Sequence, residues 1–157
     1  MGLKPYLDGF QLVGPAKPDD VSSMKAAAVN IAKGDVLIDN GAGFVTNASI
    51  TAFSDVATWI AIEPCNNSAG VAGDLSVLAV PISIASNVWI VPNASATVAA
   101  QTDVGEIIDL ESEDDVDVTD TSLVGWGFIV EEIDISAAAL VAKAGGFVRG
   151  RFVRHTA

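Results

Sequence analysis

Residues 29–48 read VNIAKGDVLIDNGAGFVTNA, two apolar, β-branched runs set on either side of NGAG. Asn-Gly followed by a second glycine supplies backbone that turns tightly, and the flanking runs supply strands, so the stretch predicts a β-hairpin. The same grammar continues to the end of the chain. TWIAIEP, LSVLAVPIS and NVWIVP follow, each bounded by turn residues, and then come VGEIIDLE, DVDVT, WGFIVEEIDI and GGFVRGRFV. The expectation is an all-β fold, a sandwich or small β-barrel of about eight or nine short strands. SAAALVAKAGG is the one helical stretch, expected near residues 137–144, with Ser136 capping its start and Gly145 or Gly146 its end.

Ahead of this pattern, Pro5, Pro15 and Pro18 fix φ and remove backbone donors. Residues 1–24 are therefore expected as an extended N-terminal arm, and residues 25–157 as a single β-domain. The apolar residues of the arm, Tyr6, Leu7, Phe10, Leu12 and Val13, imply that it lies on its own domain or on a neighbour. No repeat with a period of roughly 20–50 residues stands out, and no low-complexity linker divides the chain.

The chain has 157 residues, a formal net charge of -12 and a pI near 4.1. That balance argues against nucleic acid, whose phosphates call for a basic groove, and against an anionic membrane surface. The hydrophobic fraction is 50% and the mean hydropathy +0.45. No apolar run approaches the roughly 18–20 residues that span a bilayer, so the surplus apolar surface belongs to subunit contacts or to a β-core of small residues. The start, MGLKPYLDGF, lacks the basic and apolar regions of a signal peptide, and the sequons at Asn47, Asn66 and Asn93 read as chance matches. Cys65 is the single cysteine, which excludes an internal disulfide.

Charge is distributed unevenly. Between Lys33 and Lys143 there is no Lys or Arg, and EIIDLESEDDVDVTD at 106–120 is rich in carboxylates. Strand geometry splits that stretch into two pieces, each with Val, Ile or Leu on one side and acids mainly on the other. An EF-hand loop counted from Asp115 would need glycine where Asp120 stands and glutamate where Trp126 stands, so the motif fails. A looser cation site from Asp114, Asp115, Asp117 and Asp120 is the enzyme-class alternative, a small cation-dependent β-barrel enzyme. Nucleophilic catalysis finds no oriented base, since the lone histidine is His155 near the end of the sequence. Gly41 and Gly43 lack the third glycine and the helix of a dinucleotide fingerprint. The expectation is a protein that is not an enzyme and has no cofactor or metal.

Beyond residue 140 the sign reverses, with Lys143, Arg149, Arg151 and Arg154 and no acid. A final strand of this kind pairs with an acidic strand or with another copy. Trp126, in GWGF, is the strongest of the three tryptophans as an interface anchor. The candidate interface residues are Tyr6, Phe10, Leu12, Trp126, Arg149, Arg151 and Arg154.

Taken together, AKGDVLIDNGAGFVTNAS, IAIEPCNNSAGVAGDLSVLAVPIS, NVWIVPN, VGEIIDLESEDDVDVT, FIVEEIDI and FVRGRF resemble the bacteriophage capsid decoration, or cement, proteins over about residues 25–154. The resemblance lies in spacing, Gly-Asp turns and alternating strands. It implies a β-barrel or β-tulip on the outside of an icosahedral head, a homotrimer that ties major capsid protein subunits together. It also implies a place on the virion surface after assembly in the host cytoplasm, with no nucleic acid and no membrane partner. A head-fibre base or tail-associated virion protein is the nearest alternative.

Overall fold

The computed structural model describes residues 7–48, 58–121 and 125–154. In chain order the strands are β1 (Gln11–Leu12), β2 (Ser22–Lys25), β3 (Asn30–Ile31), β4 (Val36–Asp39), β5 (Val45–Asn47), β6 (Thr58–Ala61) and β7 (Cys65–Asn66). They continue as β8 (Ser76–Pro81), β9 (Trp89–Pro92), β10 (Ile107–Ser112), β11 (Asp115–Thr121), β12 (Trp126–Asp134) and β13 (Phe147–Arg154). One short helix, α1 (Ala137–Ala142), lies between the last two strands. Ser136 caps it by accepting a 3.3 Å hydrogen bond from Ala139 N–H. The all-β expectation holds, with more and shorter strands than anticipated because β1, β3 and β7 are two-residue pairings.

All strand pairing within the sheets is antiparallel. A six-stranded sheet runs β1-β9-β13-β12-β10-β11, a five-stranded sheet β2-β8-β6-β4-β5, and β3 pairs with β7. The hairpin read from NGAG is β4–β5. Asp39 and Asn40 hold its turn, their side-chain oxygens accepting from Gly41 N–H at 2.6 Å and Ala42 N–H at 2.9 Å.

The two larger sheets are two copies of one design. Set in chain order, β2, β4, β5, β6 and β8 correspond to β9, β10, β11, β12 and β13, and both sets adopt the order first, fifth, fourth, second, third. The registers coincide as well. Val36↔Ile60 and Trp59↔Pro81 in the first correspond to Ile107↔Ile129 and Phe128↔Phe152 in the second. Met24↔Val77 corresponds to Val91↔Val148, and Asp39↔Val45 to Leu110↔Val116. In each copy a parallel bridge brings the third strand back to the end of the first, Ala26↔Val45 and Asn93↔Val116, and among the described residues no closed barrel forms.

The sequence echo is GDVLID at 34–39 and GEIIDL at 105–110. Gly34 and Gly105 have φ of +93° and +94°, a conformation that favours glycine. Each donates its N–H to the fourth strand, Gly34 to Ala61 O at 2.8 Å and Gly105 to Val130 O at 2.7 Å. The period is longer than the solenoid lengths a repeat search covers, and so few identical residues survive that the sequence alone did not reveal it.

Each copy is riveted by a buried asparagine, Asn67 and Asn93, both 2% exposed. Asn67 Nδ2 donates to Val71 O at 2.9 Å and Ala27 O at 3.2 Å. Asn93 Nδ2 donates to Thr97 O at 2.9 Å and Gly145 O at 3.0 Å, while its Oδ1 accepts from Ser95 N–H at 3.2 Å and Val118 N–H at 3.3 Å. Truncation would strand backbone groups in the interior, so Asn93→Ala is expected to cost roughly 2–3 kcal/mol in chemical denaturation. A loss below about 0.5 kcal/mol would refute the rivet, being what a surface change costs.

Both faces of the first sheet are covered. Leu37, Val45, Ala61, Val77 and Ala79 face a small core with Ile31 and Cys65. Val36, Ile60, Val80 and Ile82 face the main core with Trp89, Leu110, Phe128 and Phe152. This is why VLI, WIA and LAV read as continuous apolar runs rather than strict alternation. The main core spans both copies, so they form one packed body.

The expected arm is, over its described residues, part of that body. Phe10 N–H donates to Gly34 O at 2.9 Å, β1 pairs with β9, and β2 is the first strand of the first copy. Gly9 and Gly34 cross so closely that a Cβ on either would stand 2.9 Å from the other's backbone.

Candidate interaction surface

The acidic stretch folds as the hairpin β10–β11, with its turn at Glu113 and Asp114. Ile108, Leu110, Val116 and Val118 point into the core, Asp109, Asp115 and Asp117 are half-buried on the other side, and Glu111 and Asp120 are exposed. This matches the two-piece reading. Ser112 Oγ lies 2.7 Å from carboxylate oxygens of both Asp114 and Asp115. Among the described residues, no three His, Cys, Asp or Glu side chains converge as a group able to hold a metal ion.

The tip of this hairpin meets the first repeat. Glu113 O accepts from Val36 N–H at 2.7 Å, and the neighbouring Asp35 is 4% exposed. Burial pushes the Asp35 carboxyl up to about 7, against a 2.8 Å hydrogen bond from Ala32 N–H, and the charges of Glu113 and Asp114 add to the rise. Burial raises Asp115 as well, opposed by the Ser112 hydroxyl. Nearby, Lys143 forms an ion pair with Asp8, whose hydrogen bond raises the lysine pKa.

Of the basic tail, Lys143 lies near the acidic hairpin, while the arginines of β13 face other partners. β13 lies between β12 and β9, so its arginines meet the glutamates of β12. Arg151 Nε is 3.0 Å from Glu131 Oε2 and its Nη1 donates to Ala85 O at 3.2 Å. Arg149 Nη1 stands 3.7 Å from Glu132 Oε2. These pairs are partly exposed and contribute at most about 1 kcal/mol each. Arg154 sits 5.9 Å from the Trp126 ring centroid.

The remaining interface candidates fall in different places. Phe10 is 3% exposed and packs on Phe152 and Phe128, ring centroids 5.1 and 5.7 Å away, so it is a core residue of its own chain and offers no outer surface. The correction has a simple cause: β1 adds to β9 and carries the preceding aromatic inward. Leu12 is half-buried in β1, Trp126 is half-buried at the start of β12, and Arg154 is exposed. Tyr6 lies outside the described residues.

Three surface features have no signal in the linear sequence. Ile135, Leu140 and Val141 are exposed around α1, Val141 at 89%. A concavity of about 270 Å³ is lined by Thr58, Trp59, Pro81, Ile82, Ser83 and Trp126, and a larger one of about 440 Å³ lies between the leading segment and both repeats. WIA and GWGF each advertised a tryptophan, but nothing in the linear order brings Trp59 and Trp126 together. Comparison with protein-family models, curated proteins and solved structures returns no match to this chain.

Proposed function

We propose that the protein is a structural virion component, a decoration or cement protein that binds the outer surface of a phage capsid as a homotrimer and stabilises contacts between major capsid protein subunits. The observation that carries this reading is the resemblance of the segments from AKGDVLID to FVRGRF, which supply both repeats and their joint core. A stiff body with an acidic exterior and residual apolar patches has what adhesion requires, contact area and a charge pattern that selects its partner.

The test is co-sedimentation of purified protein with capsid shells that lack it. Saturable binding at a fixed ratio to the major capsid protein, with a raised melting temperature of the shell, is the expected result. Protein that stays in the supernatant at every concentration overturns the proposal.

A further inference from the structure

The tip of the β10–β11 hairpin is tied to the first repeat at one point. Val36 N–H donates to Glu113 O at 2.7 Å, the only backbone hydrogen bond between that hairpin and the first repeat among the described residues. Val36 is fully buried, and the side chain before it, Asp35, is 4% exposed. The contact therefore closes over an acid.

What faces that acid is acidic too. Glu113 and Asp114, both half-buried at the tip, act on it with like charge, while its own loop supplies the Ala32 N–H at 2.8 Å. No Lys, Arg or His forms an ion pair with it among the described residues. Lys143, whose charge acts on Asp114 and Asp115, is paired with Asp8. Asp114 and Asp115 in turn share the Ser112 hydroxyl, which has one proton to donate. A neutral Asp35 fits these surroundings, whereas an ionised one is both desolvated and repelled by the segment that covers it. Lifting the tip removes both penalties, because it admits water and separates the like charges.

Little else has to break. Ser112, Glu113, Asp114 and Asp115 are half-buried, while Leu110 and Val116 on either side are fully buried and stay in the core. On the other side of the contact, Asp35 O accepts from Ala61 N–H at 2.9 Å and Val36 O from Ala48 N–H at 2.8 Å, bonds made within the first repeat and independent of the tip. We infer that the tip of β10–β11 is a proton-operated latch between the two repeats, closed over neutral Asp35 and released when Asp35 ionises. The closed latch keeps the proton up to about pH 7, whereas an open one gives it up near the ordinary value of 3.8. Opening therefore releases a proton between those limits and becomes about tenfold more favourable per pH unit across them, levelling off above.

The test is native-state hydrogen exchange at the Val36 amide, corrected for the intrinsic rate at each pH. Its protection is expected to fall about tenfold per unit between about pH 5 and 7 and to level off by about pH 8. Sub-denaturing urea is expected to change it little, since a lifted tip exposes little surface, whereas the Val148 amide at the centre of the second sheet reports global unfolding and responds to urea. Asp35→Asn is expected to make the Val36 protection independent of pH. A flat profile in the wild-type chain overturns the inference, as does a slope that survives Asp35→Asn. Equal urea dependence at Val36 and Val148 overturns it too, because the release would then be global unfolding. Should Asp35→Asn fail to fold, Glu113→Gln removes one of the facing charges and is expected to move the levelling point to lower pH, and an unmoved point counts against the latch in the same way.

Discussion

Gly150→Ala is expected to abolish cooperative folding, whereas Ala79→Gly, its counterpart in the first repeat, is expected to cost about 1 kcal/mol. The positions are equivalent by register, Ala79 opposite Ala61 and Gly150 opposite Val130. Ala79 is fully buried and accommodates its methyl. A Cβ on Gly150 would overlap the Ile129 carbonyl oxygen and come within 3.0 Å of Phe128 Cε1. The difference arises from the register shift after Val130, a bulge that draws β12 toward β13 at this point. Because the obstacle is backbone in the centre of a sheet, relief requires breaking the ladder, and the loss is expected to exceed the roughly 1–3 kcal/mol of ordinary overpacking. Circular dichroism melts of the two variants check this, and a cooperative Gly150→Ala transition within a few degrees of wild type would contradict it.

The second large effect concerns pH. Asp35 has its carboxyl raised from 3.8 to about 7 in the folded chain, so the folded state binds its proton more tightly than the unfolded one. Stability from this group is therefore fully present below about 3.8 and is lost progressively as pH rises through about 7. At about 1.4 kcal/mol per pKa unit, the difference between those limits is on the order of 4 kcal/mol. Asp35→Asn keeps an oxygen to accept from Ala32 N–H and removes the titration. The variant is expected to be more stable than wild type at pH 8 by a few kcal/mol and close to it at pH 4, in urea titrations at both values. Equal stabilities at pH 8 would show that the carboxylate is solvated. The corresponding residue in the second repeat, Glu106, is exposed, so the pH response belongs to the junction that covers Asp35.

Much of this fold was legible in linear order. Strand runs, the NGAG turn, the Ser136 cap and the inward Val, Ile and Leu of the acidic hairpin all depend on neighbours within a few positions. What failed was longer in range. Phe10 looked like an arm residue until β1 paired with β9. That the arginines of β13 lie beside an acidic strand was legible in the charge pattern, but only sheet order decided that its acids are Glu131 and Glu132 of β12. The pairing of Trp59 with Trp126 around one concavity had no local signal at all.

The sequence by itself therefore determined that this chain is built of short antiparallel strands, because alternation, turn chemistry and capping are local properties. Only the tertiary structure decided that those strands form the same five-stranded design twice, joined through unlike surfaces. Register and sheet order are set by which apolar faces can be buried together, and very different side chains satisfy that condition: Trp59 and Phe128 occupy one position, Asp39 and Leu110 another.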